Sequence, residues 1–81
     1  MELVNFTEEL VKSLVHNPDM VKVQNFEDED GNIILEVIVQ NEDMGVIIGR
    51  SGKMINAVRT IIQAAAYNRG LKRVKINVDS F

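Results

Sequence analysis

The amino-acid sequence predicts a small α+β domain, with a three-stranded mixed sheet and helices packed on one face, in the order α-β-β-α-α-β. The chain has only 81 residues, which leaves room for one core and therefore one domain over residues 1–81. Apolar residues recur at helical spacing near the start and after residue 52, and they alternate as in strands in three other segments. A short chain that mixes these elements buries one face of its sheet under helices.

A first helix is expected over residues 3–16, because apolar residues repeat there at intervals of three and four. Asn5 and Glu8 have the spacing of a capping box, which would start the helix at Asn5, although the helix could also start before Asn5. Asn17-Pro18 should end the helix, since the residue before proline avoids the α region.

Two strands are predicted over residues 21–26 and 32–40, with the hairpin signal Asp30-Gly31 between them. Ile34 and Ile38 are apolar on the second face of the later strand, which indicates a central position. The acidic run before Gly31 could suggest a calcium site, but an EF-hand loop with Gly31 as its required glycine would place Phe26, which cannot bind calcium, at the first ligand position. The run is therefore interpreted as a charged hairpin tip.

The second half of the chain should begin with Asn41–Asp43, which caps a short helix. Gly70 is expected to end a long helix, as glycine often does. The elements predicted here are a helix over residues 44–48, a loop over 49–52, a helix over 53–69 and a strand over 73–79.

Charge is distributed unevenly along the chain, which has a net charge of −3. Residues 1–43 contain two lysines and eleven acidic residues, a balance of −9, whereas residues 44–81 contain seven basic residues against Asp79, a balance of +6. The local field steers a polyanion, and screening confines that field to about 8–10 Å. The basic half is therefore compatible with a nucleic-acid partner. The Arg73/Lys75 face is interpreted as solvated sheet surface.

The stretch IIGRSGKMI, residues 47–55, contains a glycine-rich loop that fits no nucleotide-hydrolysing motif. A Walker A loop would need glycine at Ile47 and a hydroxyl at Met54, and the dinucleotide fingerprint also needs glycine at position 47. A loop G-x-x-G between two helices instead lets a phosphate backbone approach closely, next to the free N–H groups of the second helix. The alternative is a tight turn with solvated charges.

The stretch VIIGRSGKMINAV resembles the KH signature, with Ile48, Gly49, Gly52, Ile55 and Val58 on its fixed positions. The element order resembles the bacterial, type II arrangement of the KH fold. The whole chain, including LVHNPD near the start, is similar to the small single-domain KH proteins of the KhpA (YlqC-like) family. This resemblance implies single-stranded RNA binding without catalysis, as an RNA chaperone or post-transcriptional regulator. It also implies a homodimer, or a heterodimer with a larger Jag-type KH protein.

The predicted RNA site combines the loop with the residues beside it. Aromatic residues are few, so aliphatic and backbone contacts are expected rather than base stacking. The residues predicted to bind RNA are Ile48, Gly49, Arg50, Ser51, Gly52, Lys53, Ile55 and Arg59.

The long helix carries two apolar stripes, and one of them should face the sheet. Ile55, Val58, Ile62 and Ala65 form the first stripe. The second stripe is either core or a protein interface, and it contains Met54, Ala57, Ile61 and Ala64. An alternative function follows, in which a KH-fold adaptor dimerises through this helix and binds RNA weakly or not at all.

No catalytic, metal or cofactor site is predicted. The chain has no cysteine and one histidine, His16, which ends a helix. No apolar run approaches the ~20 residues that span a bilayer, and the start lacks a secretion signal. A cytoplasmic protein without membrane contact is therefore expected.

Overall fold

A computed structural model describes residues 2–71 and 73–81. The elements follow the predicted order, and their bounds differ from the prediction mainly at the end of the first helix. Short 3₁₀ turns occur over Pro18–Met20, Asn41–Asp43 and Arg50–Gly52. The helices are α1 (Leu3–Lys12), α2 (Met44–Ile48) and α3 (Lys53–Asn68), and the strands are β1 (Lys22–Glu27), β2 (Ile33–Val39) and β3 (Val74–Ser80).

The strands form one mixed sheet in the order β1-β2-β3. β1 pairs antiparallel with β2, where Val23 lies opposite Val37, and β3 pairs parallel with β2, where Ile76 lies opposite Leu35. A parallel neighbour requires a crossover connection, and α2 and α3 provide it. The predicted α+β class, the mixed sheet and the central position of β2 are confirmed.

The core lies between one face of the sheet and the helices. Leu35, Val37 and Val39 on β2 are almost completely buried. From α3, the buried positions are Ile55, Val58, Ile62 and Ala66. The predicted core stripe is therefore confirmed except at its last position, because Ala66 is buried and Ala65 is only partly covered.

The hairpin between β1 and β2 has a five-residue loop organised by Asp28. The Asp28 carboxylate accepts hydrogen bonds from the backbone N–H groups of Asp30 and Asn32, both at 2.9 Å. Gly31 has φ +81° in this loop. The hairpin was predicted correctly, but its loop is longer than the two-residue turn that Asp30-Gly31 can form alone.

The first helix begins at Leu3, as predicted, but it ends at Lys12 rather than residue 16. Its N-cap is Glu2, so Asn5 and Glu8 lie inside the helix and do not form the capping box that their spacing allows. At its end, the Ser13 hydroxyl donates to the Leu10 carbonyl at 2.6 Å, and the Leu14 N–H donates to the Val11 carbonyl at 3.0 Å. Leu14 and Val15 still pack against the core, although they lie outside the helix.

Candidate functional site

The glycine-rich loop is carried by a very short helix, α2, whose start is tied to the end of α1. The Asp43 side chain is fully buried. Its carboxylate accepts hydrogen bonds from the backbone N–H groups of His16 and Asn17, at 3.1 and 3.0 Å, and from the Asn17 amide at 3.1 Å. Asp43 lies at the N-cap position of α2, within the predicted cap Asn41–Asp43, but its side chain makes no capping hydrogen bond. Its carboxylate instead anchors the turn that follows α1.

The environment of Asp43 keeps its carboxyl group ionised. Burial by itself would raise the pKa, but the hydrogen bonds from Asn17 and from the His16 N–H outweigh it, so the pKa lies below its ordinary value of 3.8. A charged, fully bonded carboxylate is a rigid attachment for the five residues of α2 that lead to the loop.

The loop itself has three residues with positive φ. Gly49 has φ +76° and ψ 176°, Ser51 has φ +56° and ψ 27°, and Gly52 has φ +75° and ψ 12°. The conformation of Gly49 is accessible essentially only to glycine, whereas the left-handed conformation of Ser51 and Gly52 is open to a few other residues at a cost.

Gly49 also lies against the start of α3. A Cβ atom at Gly49 would lie 2.6 Å from the Met54 Cβ and 2.8 Å from the Met54 backbone nitrogen. A Cβ atom at Gly52 would meet nothing closer than 4.0 Å. The loop is therefore folded tightly onto α3 at Gly49 and is open at Gly52.

The polar residues predicted to form the site are exposed around this loop. Arg50, Ser51 and Lys53 are all exposed, so both charges and the hydroxyl face solvent beside the first turn of α3. The Ile48 side chain is 38% exposed and adds an apolar edge, whereas Ile55 is only 7% exposed and belongs to the core. Ile55 can therefore support the loop from beneath but presents little surface of its own.

A groove of ≈ 1070 Å³ lies between α3 and the free edge of β3. Two α3 side chains reach that edge. The Gln63 Oε1 atom accepts from the Val74 N–H at 3.1 Å, and an Arg59 Nη atom lies 3.4 Å from the Ile76 carbonyl oxygen. Arg59, predicted from the sequence as a site residue, lies in this groove.

Several groove residues were not predicted to belong to a site. Arg73 and Lys75, which are interpreted from the sequence as solvated sheet surface, are both exposed and also line the groove. Tyr67, near the end of α3, belongs to the same lining. The spacing of residues along α3 indicates which of them share an exposed face. It does not show that β3 lies beside that face and forms a groove with it.

The second stripe of α3 is largely uncovered. Ile61 is 44% exposed, and Ala57 and Ala64 are exposed as well. Met54 is partly buried and packs against the core. Most of this stripe is therefore surface in the single chain.

Within residues 2–71 and 73–81, no group of three or more His, Asp or Glu side chains is arranged to hold a metal ion. Over the same residues, no helix combines the length and the apolar character needed to cross a membrane.

A G-x-x-G loop between two helices, on an α-β-β-α-α-β domain with a mixed sheet, defines a KH-like domain. The family model described as KhpA/KhpB, KH domain, matches residues 4–78. The chain belongs to this family, as the sequence resemblance indicated.

Curated relatives of similar length support this assignment. A protein of Clostridium acetobutylicum named RNA-binding protein KhpA is 45% identical over 71 residues, which cover 88% of this chain and 92% of the relative. Proteins of the same name from Streptomyces coelicolor and Borreliella burgdorferi are each 40% identical, over 89% and 96% of this chain and 89% of each relative.

Proposed function

We propose that this protein binds single-stranded RNA and holds the RNA backbone with the loop from Gly49 to Lys53. The observation that carries the proposal is the loop conformation. Gly49 is folded against Met54 at a distance that admits no side chain, and Arg50 and Ser51 stand out beside it.

The chemistry of the loop suits a phosphate group. The first N–H groups of a helix have no partner within the helix, and the helix dipole makes that end positive. α3 begins at Lys53, so its positive end coincides with the exposed charges of Arg50 and Lys53. The exposed side of Ile48 offers apolar contact to a base, and Arg59 extends the positive charge along α3.

The name that these relatives share, RNA-binding protein KhpA, supports this proposal. We extend it to a non-catalytic role as an RNA chaperone or post-transcriptional regulator in the cytoplasm. The protein would act as a homodimer or with a larger Jag-type KH protein.

The experiment that tests RNA binding is fluorescence anisotropy with a pool of short, labelled single-stranded RNAs. The loop variant is Arg50→Asp/Ser51→Asp, since aspartate tolerates the left-handed conformation of position 51. The matched control is Lys12→Asp/Ser13→Asp at the C-terminal end of α1, which changes the charge equally at another basic-serine pair. Circular dichroism checks that all three proteins are folded.

The parent and the control should bind, and the loop variant should lose binding at least about tenfold, since it exchanges a phosphate-binding charge for repulsion. Equal binding by the loop variant and the control would contradict a backbone clamp.

A second candidate function is an adaptor that dimerises through α3, and the exposure of Ile61, Ala57 and Ala64 favours it. Ile61→Asp should convert a dimer to a monomer in size-exclusion chromatography with light scattering, whereas Met20→Asp, at an exposed apolar residue outside α3, should not. A parent protein that is already monomeric, with or without RNA, would count against homodimerisation through this stripe.

A further inference from the structure

One face of α3 runs without interruption from the glycine-rich loop to the far end of the helix. Its residues follow the spacing 3-4-3-4, which places them on one side of a helix. All are at least partly exposed, and the last three line the groove beside β3. The face consists of Lys53, Asn56, Thr60, Gln63 and Tyr67. A strand that leaves the loop at Lys53 therefore meets a continuous surface about 21 Å long before it reaches Tyr67.

The groove along this face is positively charged. Arg59, Arg73 and Lys75 line it, and none of the described lining residues is acidic. The chain as a whole has a net charge of −3, so the charge of this groove is opposite in sign to that of the chain. Such a groove attracts a polyanion, because local charge rather than net charge controls the field at short range.

An added peptide strand is a poor occupant of this groove. An edge strand recruits a peptide through its free N–H and C=O groups. On β3, however, the Val74 N–H already donates to Gln63, and the Ile76 carbonyl already faces the Arg59 guanidinium. At Val74 and Ile76 the edge is therefore occupied by side chains of the protein itself, so a peptide that paired with this part of β3 would have to displace them.

Tyr67 is the most exposed of the large apolar or aromatic side chains among the described residues, at 77%. It lies in the groove lining together with Arg73 and Lys75. An exposed aromatic ring next to cations is the combination on which single-stranded nucleic acids stack a base while their phosphates contact the charges.

We propose that Tyr67 is a stacking platform for a base of an RNA strand that leaves the Gly49–Lys53 loop and follows α3 to the end of the groove. The proposal rests on RNA binding by the loop and adds to it a second contact point. The RNA site is then longer than the roughly four nucleotides that a G-x-x-G loop clamps. Because every base has a π-face, the added contact depends on RNA length more than on sequence.

The chain allows a direct spectroscopic test, since Tyr67 is its only tyrosine and it has no tryptophan. Intrinsic tyrosine fluorescence of the parent protein therefore reports on this one ring. Titration with a twelve-nucleotide single-stranded RNA should quench it, and a four-nucleotide RNA should quench it much less. Free tyrosine amide at the same RNA concentrations corrects for absorption of the exciting light.

Variants test the contribution of the ring to affinity. Tyr67→Ala should weaken anisotropy-measured binding of the twelve-nucleotide RNA by roughly 5- to 100-fold, the range for one lost stacked base. Tyr67→Phe keeps the ring and should bind within about twofold of the parent. Phe81→Ala removes another exposed aromatic ring outside the groove and should leave binding unchanged.

The outcomes separate the two proposals. If the RNA binds, requires Arg50 and Ser51, but neither quenches Tyr67 nor responds to Tyr67→Ala, the stacking platform is wrong and the loop clamp stands. If RNA does not bind the parent at all, both are wrong. A loss with Tyr67→Phe equal to the loss with Tyr67→Ala would also overturn stacking, since the ring is retained.

Discussion

At the scale of single residues, the two glycines of the loop have different reasons to be glycine. Gly49 adopts φ +76° and ψ 176°, and a Cβ atom added to it would lie 2.6 Å from the Met54 Cβ. Gly52 adopts φ +75° and ψ 12° in open space. The first is required by both backbone conformation and close approach, and the second by conformation alone.

Alanine substitution should separate these two requirements. Gly49→Ala should lower the free energy of unfolding by about 3 kcal/mol or more, because two costs combine. The backbone conformation costs roughly 1–3 kcal/mol for any residue other than glycine, and the new Cβ atom would also overlap with Met54. Gly52→Ala should cost only about 1–2 kcal/mol, the penalty of the left-handed conformation. Urea denaturation measures both. Equal costs would show that the close approach at Gly49 is easily relieved.

A second residue-scale prediction concerns Thr7 on α1, which is fully buried. Its hydroxyl oxygen has no hydrogen-bond partner among the described residues. Valine has nearly the same shape without the hydroxyl, so Thr7→Val should raise the free energy of unfolding by roughly 1 kcal/mol. A lower stability in urea denaturation would mean that the hydroxyl has a partner in solution, and Thr7→Ser serves as the control that keeps it.

At the scale of elements, local patterns predicted most of the chain. The strands and the two later helices lie within one residue of their predicted bounds, because alternation, helical spacing and Gly70 are local signals. The end of α1 was not predictable in this way. The backbone N–H groups of His16 and Asn17 donate hydrogen bonds to Asp43, which is far away in the sequence. The helical spacing of apolar residues also continues to Val15, although the helix itself ends at Lys12.

The same contrast applies to the candidate site. The loop between Ile48 and Lys53 was predictable because its glycines and charges are contiguous in sequence. The groove was not, because it depends on β3 pairing parallel to β2, which brings Arg73 and Lys75 alongside Tyr67. Spacing along α3 shows which residues share a face, but it cannot show what lies opposite that face.

The anchor at Asp43 predicts a particular dependence of stability on pH. The pKa of Asp43 is lower in the folded protein than its ordinary value of 3.8, so the ionised carboxylate stabilises the fold at pH values above 3.8. This stabilisation is lost as the pH falls through the pKa of the folded protein. Asp43→Asn should therefore melt well below the parent at pH 7, and the difference in Tm should shrink below about pH 4.

The comparison of the two proteins isolates Asp43 from other acidic groups. Asp28 also has a lowered pKa, through hydrogen bonds from Asn32, but it titrates in both proteins and cancels in the difference. Thermal denaturation followed by circular dichroism from pH 7 to pH 2.5 provides the measurement. A Tm difference that stays constant over this range would contradict the role of the ionised carboxylate.

At the scale of the whole molecule, the charge is divided between an acidic first half and a basic second half. Residues 1–43 carry a balance of −9 and residues 44–81 a balance of +6. The fold brings part of the basic half together at the loop and along the α3 groove. The remaining acidic surface would repel RNA elsewhere, so binding should be confined to one side of the domain.

This arrangement predicts RNA affinity that depends on salt. If Arg50, Lys53 and Arg59 each contact a phosphate, the logarithm of the binding constant should fall with the logarithm of salt concentration with a slope of about −2. The affinity then falls roughly 20-fold between 50 and 200 mM salt. Lys53→Ala should reduce the steepness by about 0.7, whereas Lys22→Ala, on β1, should leave it unchanged. A slope near zero would indicate apolar contacts instead of phosphate contacts.

RNA binding by the loop is tested most directly by titrating ¹⁵N-labelled protein with a short single-stranded RNA and following each residue in ¹H–¹⁵N correlation spectra. We expect the largest shift changes at the amides of residues 49–53 and smaller changes at Arg59, and we expect Arg50→Asp/Ser51→Asp to abolish them. Shift changes centred on Ile61, or on the open face of the sheet, with the loop amides unmoved, would contradict the claim that the loop holds the RNA backbone.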